Sequence, residues 1–181
     1  MKKELTYFVD IPEGVNVTIE RKTVIVKGGR GENKRLFHYP GVQITLENNK
    51  VVLHCDNASK KEKSMMGVFS SHISNMIKGV KQGFIYKLKI CSGHFPINVE
   101  VKENAILISN FLGEKKPRIA KIMKGVNANI DGDIITLEGY DKELTGQSGA
   151  NIEKATAISK RDRRVFQDGI FLIDKGGKII E

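Results

Sequence analysis

The sequence predicts an α+β protein of two similar modules, each a small, mostly antiparallel β-sheet packed with one α-helix. Three observations predict it. First, Gly14 to Leu36 returns 82 positions later as Pro96 to Arg118, with Asn16, Val17, Gly31, Glu32 and Lys34 falling on Asn98, Val99, Gly113, Glu114 and Lys116 without a gap. Second, in both copies apolar residues alternate with polar ones (Val15, Val17, Ile19; Ile97, Val99, Val101), and a short gap and a β-branched run follow, which is the pattern of a β-hairpin. Third, a later stretch in each half changes to a three-and-four spacing of apolar residues, the period of a helix. Two copies at so long a period indicate internal duplication rather than a solenoid. The expected modules are residues 1–81 and 82–181.

The elements follow in order. Lys3 to Val9 carries enough Leu, Tyr, Phe and Val for a strand, and Ile11-Pro12-Glu13-Gly14 turns it into the first hairpin. Gly28-Gly29-Arg30-Gly31 lacks both the Gly-Lys-Ser/Thr ending of a P-loop and the GxGxxG spacing, so it reads as a tight turn with positive φ. Val42 to Leu46 and Val51 to Leu53 give two short strands joined at Asn48-Asn49. A helix then starts at Ser59, with Glu62 completing a capping box, and Gly79 is its expected end. Its methionines read as core filling, because Ser70, Ser71, Ser74, Asn75 and Lys78 occupy the other side.

Phe84 to Ile90 is the next strand, and it leads through Gly93-His94-Phe95-Pro96 into the second hairpin. Gly125 takes the place of Gly41, and Ile134 to Leu137 after Asp131-Gly132 that of Val51 to Leu53. A second helix is expected from about Asp141 to Ser159, with Ile152, Ala155 and Ile158 on its apolar face. Gly146 and Gly149 are poor helix formers, so a neighbouring backbone or RNA should lie close to them. A last strand follows a turn near Asp168-Gly169, and the Gly-rich tail need not be ordered until it meets a partner.

Net charge is the strongest compositional signal. Thirty Lys and Arg against 21 Asp and Glu give +9 and a pI near 9.5, which favours a polyanionic partner. Residues 1–81 carry +6 and 82–181 carry +3, so charge alone does not say which module binds. There is no run of 18 apolar residues to span a membrane and no signal-peptide pattern at the start. Cys55 and Cys91 stand in no metal-type spacing and read as reduced thiols of a cytosolic protein.

Enzyme chemistry finds no support. GxSxG and HExxH are absent, and His38, His54, His72 and His94 are scattered, with His72 best read as a hydrogen-bonded structural residue. No metal or cofactor is expected. Two basic clusters remain, both in the second half. One is Glu114-Lys115-Lys116-Pro117-Arg118 with Lys121 and Lys124, which should project from a loop because Pro117 breaks a strand. The other is Lys160-Arg161-Asp162-Arg163-Arg164, with Lys175 and Lys178 nearer the end of the chain.

Four strings in the same order and at matching intervals, SHISNMIKGVKQGFIYKL, HFPINVEV, NFLGEKKPR and KRDRRVFQDGIF, closely resemble the archaeal and eukaryotic branch of large-subunit ribosomal protein six. The resemblance covers nearly the whole chain. It implies two related α+β modules and a structural, rRNA-binding role near the sarcin–ricin loop and stalk base, among neighbouring ribosomal proteins and where translation factors dock. In the family the second module carries much of the rRNA contact. The matching residues here are Lys160, Arg161, Arg163 and Arg164, with Lys115, Lys116 and Arg118 offered by the loop; Lys175 and Lys178 complete the expected set. One departure is Phe171, where the family often has tyrosine.

Binding is expected to run on phosphate contacts and shape, because the twelve aromatics mostly fall at core positions. The two basic clusters lie at ends of elements that one module could bring onto a single rim. The competing expectation is that Arg163 and Arg164 only pair with Asp162, Asp168 or Asp174. At the level of the whole chain, the alternative is a protein-interaction module whose basic surface keeps it soluble.

Overall fold

Leu5, Tyr7 and Val9 turn to the core while Glu4, Phe8 and Asp10 stay exposed, and Lys3–Asp10 forms strand β1 in the computed structural model, which describes residues 3–159, 161–162 and 164–180. The first hairpin follows as β2 (Asn16–Glu20) and β3 (Thr23–Gly28), with Val17 opposite Val26 and Ile19 opposite Val24. β4 (Gly31–Leu36) adds a third strand on the other side of β3. Periodicity gives no sign of β4, since its half-buried positions hold Gly31, Asn33 and Arg35 rather than apolar residues. β5 (Gln43–Glu47) and β6 (Lys50–Ala58) turn through Asn48 and Asn49, both left-handed as the asparagines predict. With β1 they make a separate sheet of order β1-β6-β5.

Helix α1 (Lys60–Gln82) opens on the predicted capping box. Ser59 Oγ accepts the Lys61 N–H, and the Glu62 carboxylate accepts the Ser59 N–H at 2.8 Å. Gly79 does not end the helix but is buried within it; the cap is Gly83, whose φ of 78° suits glycine and whose N–H donates to the Gly79 carbonyl. Met66, Phe69, Ile73, Met76, Ile77 and Val80 form the buried stripe, and the helix covers both sheets. The glycine loop is a turn, as expected, but Gly28 serves close approach: a Cβ there would lie 2.8 Å from the Val80 carbonyl oxygen. His72 is hydrogen-bonded to Arg35 at 3.2 Å, the structural role expected of it.

In the second half β7 (Phe84–Cys91) repeats β1, and β8 (Asn98–Lys102) and β9 (Ala105–Ser109) begin 82 positions after β2 and β3. The copies part after Gly113. Ile25 pairs with Lys34, whereas its counterpart Leu107 pairs with Ile119, so three residues are inserted and Lys116 does not occupy the place of Lys34. The extra length follows a 3-10 turn at Phe111–Gly113, where Asn110 and Leu112 are left-handed. β10 (Arg118–Lys121) starts directly after Pro117. The proline therefore precedes a strand instead of preventing one; Lys115 and Lys116 stay in the loop, while Arg118 and Lys121 belong to the strand.

β11 (Val126–Asp131) and β12 (Ile134–Gly139) turn at Asp131-Gly132 as predicted. Helix α2 (Lys142–Ala155) is capped by Asp141, whose carboxylate accepts the Glu143 and Leu144 N–H groups. It ends at Ala155, short of the expected Ser159, because buried Thr156 turns its hydroxyl to accept the N–H of Ile170 in the last strand, β13 (Gly169–Lys175). The second sheet has order β11-β12-β7-β13, beside a three-stranded β10-β9-β8. Each module thus carries two small sheets where one was expected. Gly146 and Gly149 face the side chains of Tyr86, Leu137 and Leu172 rather than a neighbouring backbone.

The tail turns back on itself. Gly177 N–H donates to Asp174, Lys175 N–H to the Lys178 carbonyl and Ile180 N–H to the Ile173 carbonyl, so the segment is tied back to β13 by its own hydrogen bonds. The chain divides into units Met1–Gly83 and Phe84–Glu181, each with its own core: Val24, Leu53 and Ile73 lie in one, Leu88, Ile135 and Ile152 in the other. Cys55 is buried and Cys91 half-buried, both as free thiols. No helix among the described residues is long and apolar enough to cross a membrane.

Candidate nucleic-acid interface

The last carbonyls of a helix have no partner within it and sit at the negative end of its dipole. In the first unit the Gly-rich turn answers this, with Arg30 N–H donating to the Val80 carbonyl at 3.1 Å and its guanidinium lying against Gly83. In the second, Arg118 does so with its side chain. One of its terminal nitrogens (Nη1) donates to the Ala155 and Ala157 carbonyls at 2.9 and 3.2 Å. Nε and the other terminal nitrogen (Nη2) form a fork to both oxygens of Glu114 at 2.8 and 2.6 Å, and the guanidinium lies 4.3 Å above the Phe111 ring. These bonds from Arg118 hold the Glu114 carboxyl below its usual range, with the charges of Arg118 and Arg161 adding to the effect. Arg118 therefore ties the 110–118 loop to the end of α2 and to the segment that follows it.

A second junction closes the same rim. Buried Asp168 accepts the Gly93 and His94 amides at 2.6 and 3.0 Å and the His94 ring at 2.6 Å. Burial alone would raise this carboxyl, but the bonds from His94 and Gly93 and the charge on His94 outweigh it and lower it to about 2. The His94 ring stacks on Phe166 at 4.8 Å, and the Arg161 guanidinium lies 4.7 Å from the same ring. Phe95, half exposed, rests on Gly113, and Asn110 donates to the Pro96 carbonyl. Two loops, 93–96 and 110–118, and the described residues between Thr156 and Asp168 are thereby held together at one end of the unit.

The expected site residues divide between two places. Lys115, Lys116, Arg118, Arg161 and Arg164 belong to the segments joined at this rim; Arg118 faces inward in four hydrogen bonds, and the other four are exposed. Arg164 lies 3.9 Å from Asp162, with its side chain 94% exposed, so this pair leaves it open to solvent. Asp168 and Asp174 are taken up by His94 and Gly177. Lys160 and Arg163 lie outside the described residues. Lys175 and Lys178 are at the opposite end, because β13 runs from Gly169 beside Cys91 to Lys175 beside Tyr86, roughly 20 Å away.

Sequence reasoning missed His94, Asp168, Phe166 and Glu114 as the groups that build the rim. Asp168 is 74 residues from His94, and no local pattern links them. The sole hint was that HFPINVEV and VFQDGIF both belong to the strings that carry the family resemblance.

Comparison with known proteins agrees with this architecture. The family described as Ribosomal protein L6 matches residues 11–83 and 95–169, once in each unit. The large ribosomal subunit protein uL6 of Methanobrevibacter smithii is 50% identical over 167 residues, covering 92% of this chain and 94% of that protein. The uL6 protein of Methanococcus vannielii is 46% identical over 172 residues, covering 95% and 94%. The chain belongs to the ribosomal protein L6 family, in its archaeal and eukaryotic branch.

Proposed function

We propose that the chain is a structural, non-enzymatic constituent of the large ribosomal subunit and holds large-subunit rRNA through the rim at the end of α2. Family membership supports the ribosomal role. The observation that supports the assignment of the contact is the Arg118 clamp, which ties the loop of the first basic cluster to the end of α2, from which the chain leads into the second cluster about 40 residues later in sequence. Lys115, Lys116, Arg161 and Arg164 are the phosphate ligands in this reading, with Lys160 and Arg163 beside them in the chain. Arg118 positions them. Lys175 and Lys178 make a separate contact at the far end of the unit.

From the family resemblance, the RNA is the region of the sarcin–ricin loop and stalk base, so the chain supports the surface where translation factors dock and sits among other large-subunit proteins. Crosslinking the protein within intact large subunits tests this. Crosslinks from the 115–118 loop and the 161–164 segment to those RNA elements are expected, together with release from subunits only at high salt. Crosslinks from the first unit alone, or to RNA elsewhere in the subunit, overturn the assignment.

A further inference from the structure

Beside the rim, and sharing Gly93, Phe166 and Asp168 with it, a groove of about 1000 Å³ runs between the end of β7, the start of β13 and the last turn of α2. Its carboxylates are already engaged. Asp168 holds His94 and two amides, and Glu153 accepts the Leu172 N–H at 2.9 Å. Together with the Thr156 bond to Ile170, this closes the outer edge of β13 to a further strand. Lys89 stands on the sheet face turned away from α2, since its neighbours Leu88 and Ile90 are buried in the core, and Lys154 stands on α2 across the edge of β13; both are exposed, and among the described residues neither pairs with a carboxylate. Phe171 is the cross-strand neighbour of Lys89 and is 45% exposed. Its ring is held against Gly169, where a Cβ would come within 2.8 Å of Cζ.

Two unpaired cations beside a fixed, half-bare aromatic suit a ligand that is anionic at one end and a flat ring at the other. We propose that this groove takes one unstacked RNA nucleotide, its base against Phe171 and its flanking phosphates toward Lys89 on the same sheet face and Lys154 across the edge of β13. The proposal rests on the reading of the rim as an RNA contact. The volume fits a ligand of that size, whereas paired bases inside an A-form helix are not offered to such a groove. Stacking of this kind tolerates any base, so it adds affinity to the phosphate contacts without making the protein a sequence reader.

The test uses the full chain and deproteinised large-subunit rRNA, with circular dichroism to check that each variant is folded. Phe171→Ala should weaken binding about 5- to 150-fold at unchanged salt slope, and Phe171→Tyr should restore it. Changing Lys89 and Lys154 together to alanine should lower the slope by roughly 0.7 for each phosphate that is no longer neutralised. One unpaired nucleotide should be protected from dimethyl sulfate by the native protein and exposed with Phe171→Ala. A native slope with unaltered affinity and protection in Phe171→Ala overturns the groove alone. Absence of salt-dependent rRNA binding by the native chain itself defeats the rim reading and this proposal together. A poly-glutamate peptide that binds the native chain but not the double lysine variant, with rRNA binding intact, assigns the groove to an acidic protein segment instead.

Discussion

Replacing Asp168 by asparagine tests the junction that holds the rim. The carboxyl is lowered from 3.8 to about 2, and at 1.36 kcal/mol per pH unit a shift of that order corresponds to roughly 1 to 3 kcal/mol of folding free energy. The sign follows from the direction: a depressed carboxyl contributes in full above its unfolded value near 3.8, and its contribution is lost as the pH falls through about 2. Asparagine can still accept the two amides, but its NH2 then faces the His94 ring. The variant should lose roughly 1 to 3 kcal/mol near neutral pH, which for a unit of this size is a fall in Tm of roughly 5–20 °C. The chain has no tryptophan, so urea unfolding is followed by circular dichroism between pH 2 and pH 7. The gap between native and Asp168→Asn should close as the pH falls from 4 to 2. Equal stability at pH 7, or a gap that persists unchanged to pH 2, would refute the reasoning.

Arg118→Lys keeps the charge but not the fork, so it should cost about 1 to 3 kcal/mol in stability and leave the salt slope of rRNA binding unchanged. A slope lowered by roughly 0.7 to 0.9 with stability intact would make Arg118 a phosphate ligand rather than a clamp. Gly149→Ala places a Cβ in ordinary contact, 3.7 Å from Leu172 and 3.8 Å from Leu137, and should stabilise by about 0.5 to 1 kcal/mol through helix propensity; a lower Tm would count against this packing. Gly28→Ala brings a Cβ to 2.8 Å from the Val80 carbonyl and should destabilise by about 1 to 3 kcal/mol. An unchanged Tm there would show that the glycine loop does not rest on α1.

What could be read from the sequence was what local chemistry dictates. The hairpins came from alternation, the start of α1 from Ser59 and Glu62, and the β5–β6 turn from two asparagines that tolerate the left-handed region. Strands β4 and β10 escaped because an edge strand can pair its backbone while its side chains stay polar, as Asn33 and Arg35 do. The gapless Gly-Glu-x-Lys match concealed an insertion, since three residues can be absorbed in a loop without disturbing the hairpin before it. Of the candidate site, the basic clusters were visible as charge, but the inward role of Arg118 was not. That role depends on where α2 ends, 37 residues further along the chain. Likewise, the tail looked free by composition, yet Gly176 and Gly177, both at positive φ, let it fold back on β13.

The salt dependence of rRNA binding by two triple variants decides whether the second unit carries the RNA contact. Arg161, Arg163 and Arg164 changed together to alanine should lower the slope of log K against log salt by roughly 0.7 to 0.9 for each phosphate left without its arginine, with Tm nearly unmoved because surface charges contribute about 0 to 1 kcal/mol. The same change at Lys60, Lys61 and Lys63, exposed at the start of α1 in the unit of higher net charge, should lower it less. An equal fall in slope for the two variants, or a greater fall for the lysine variant, would contradict the account.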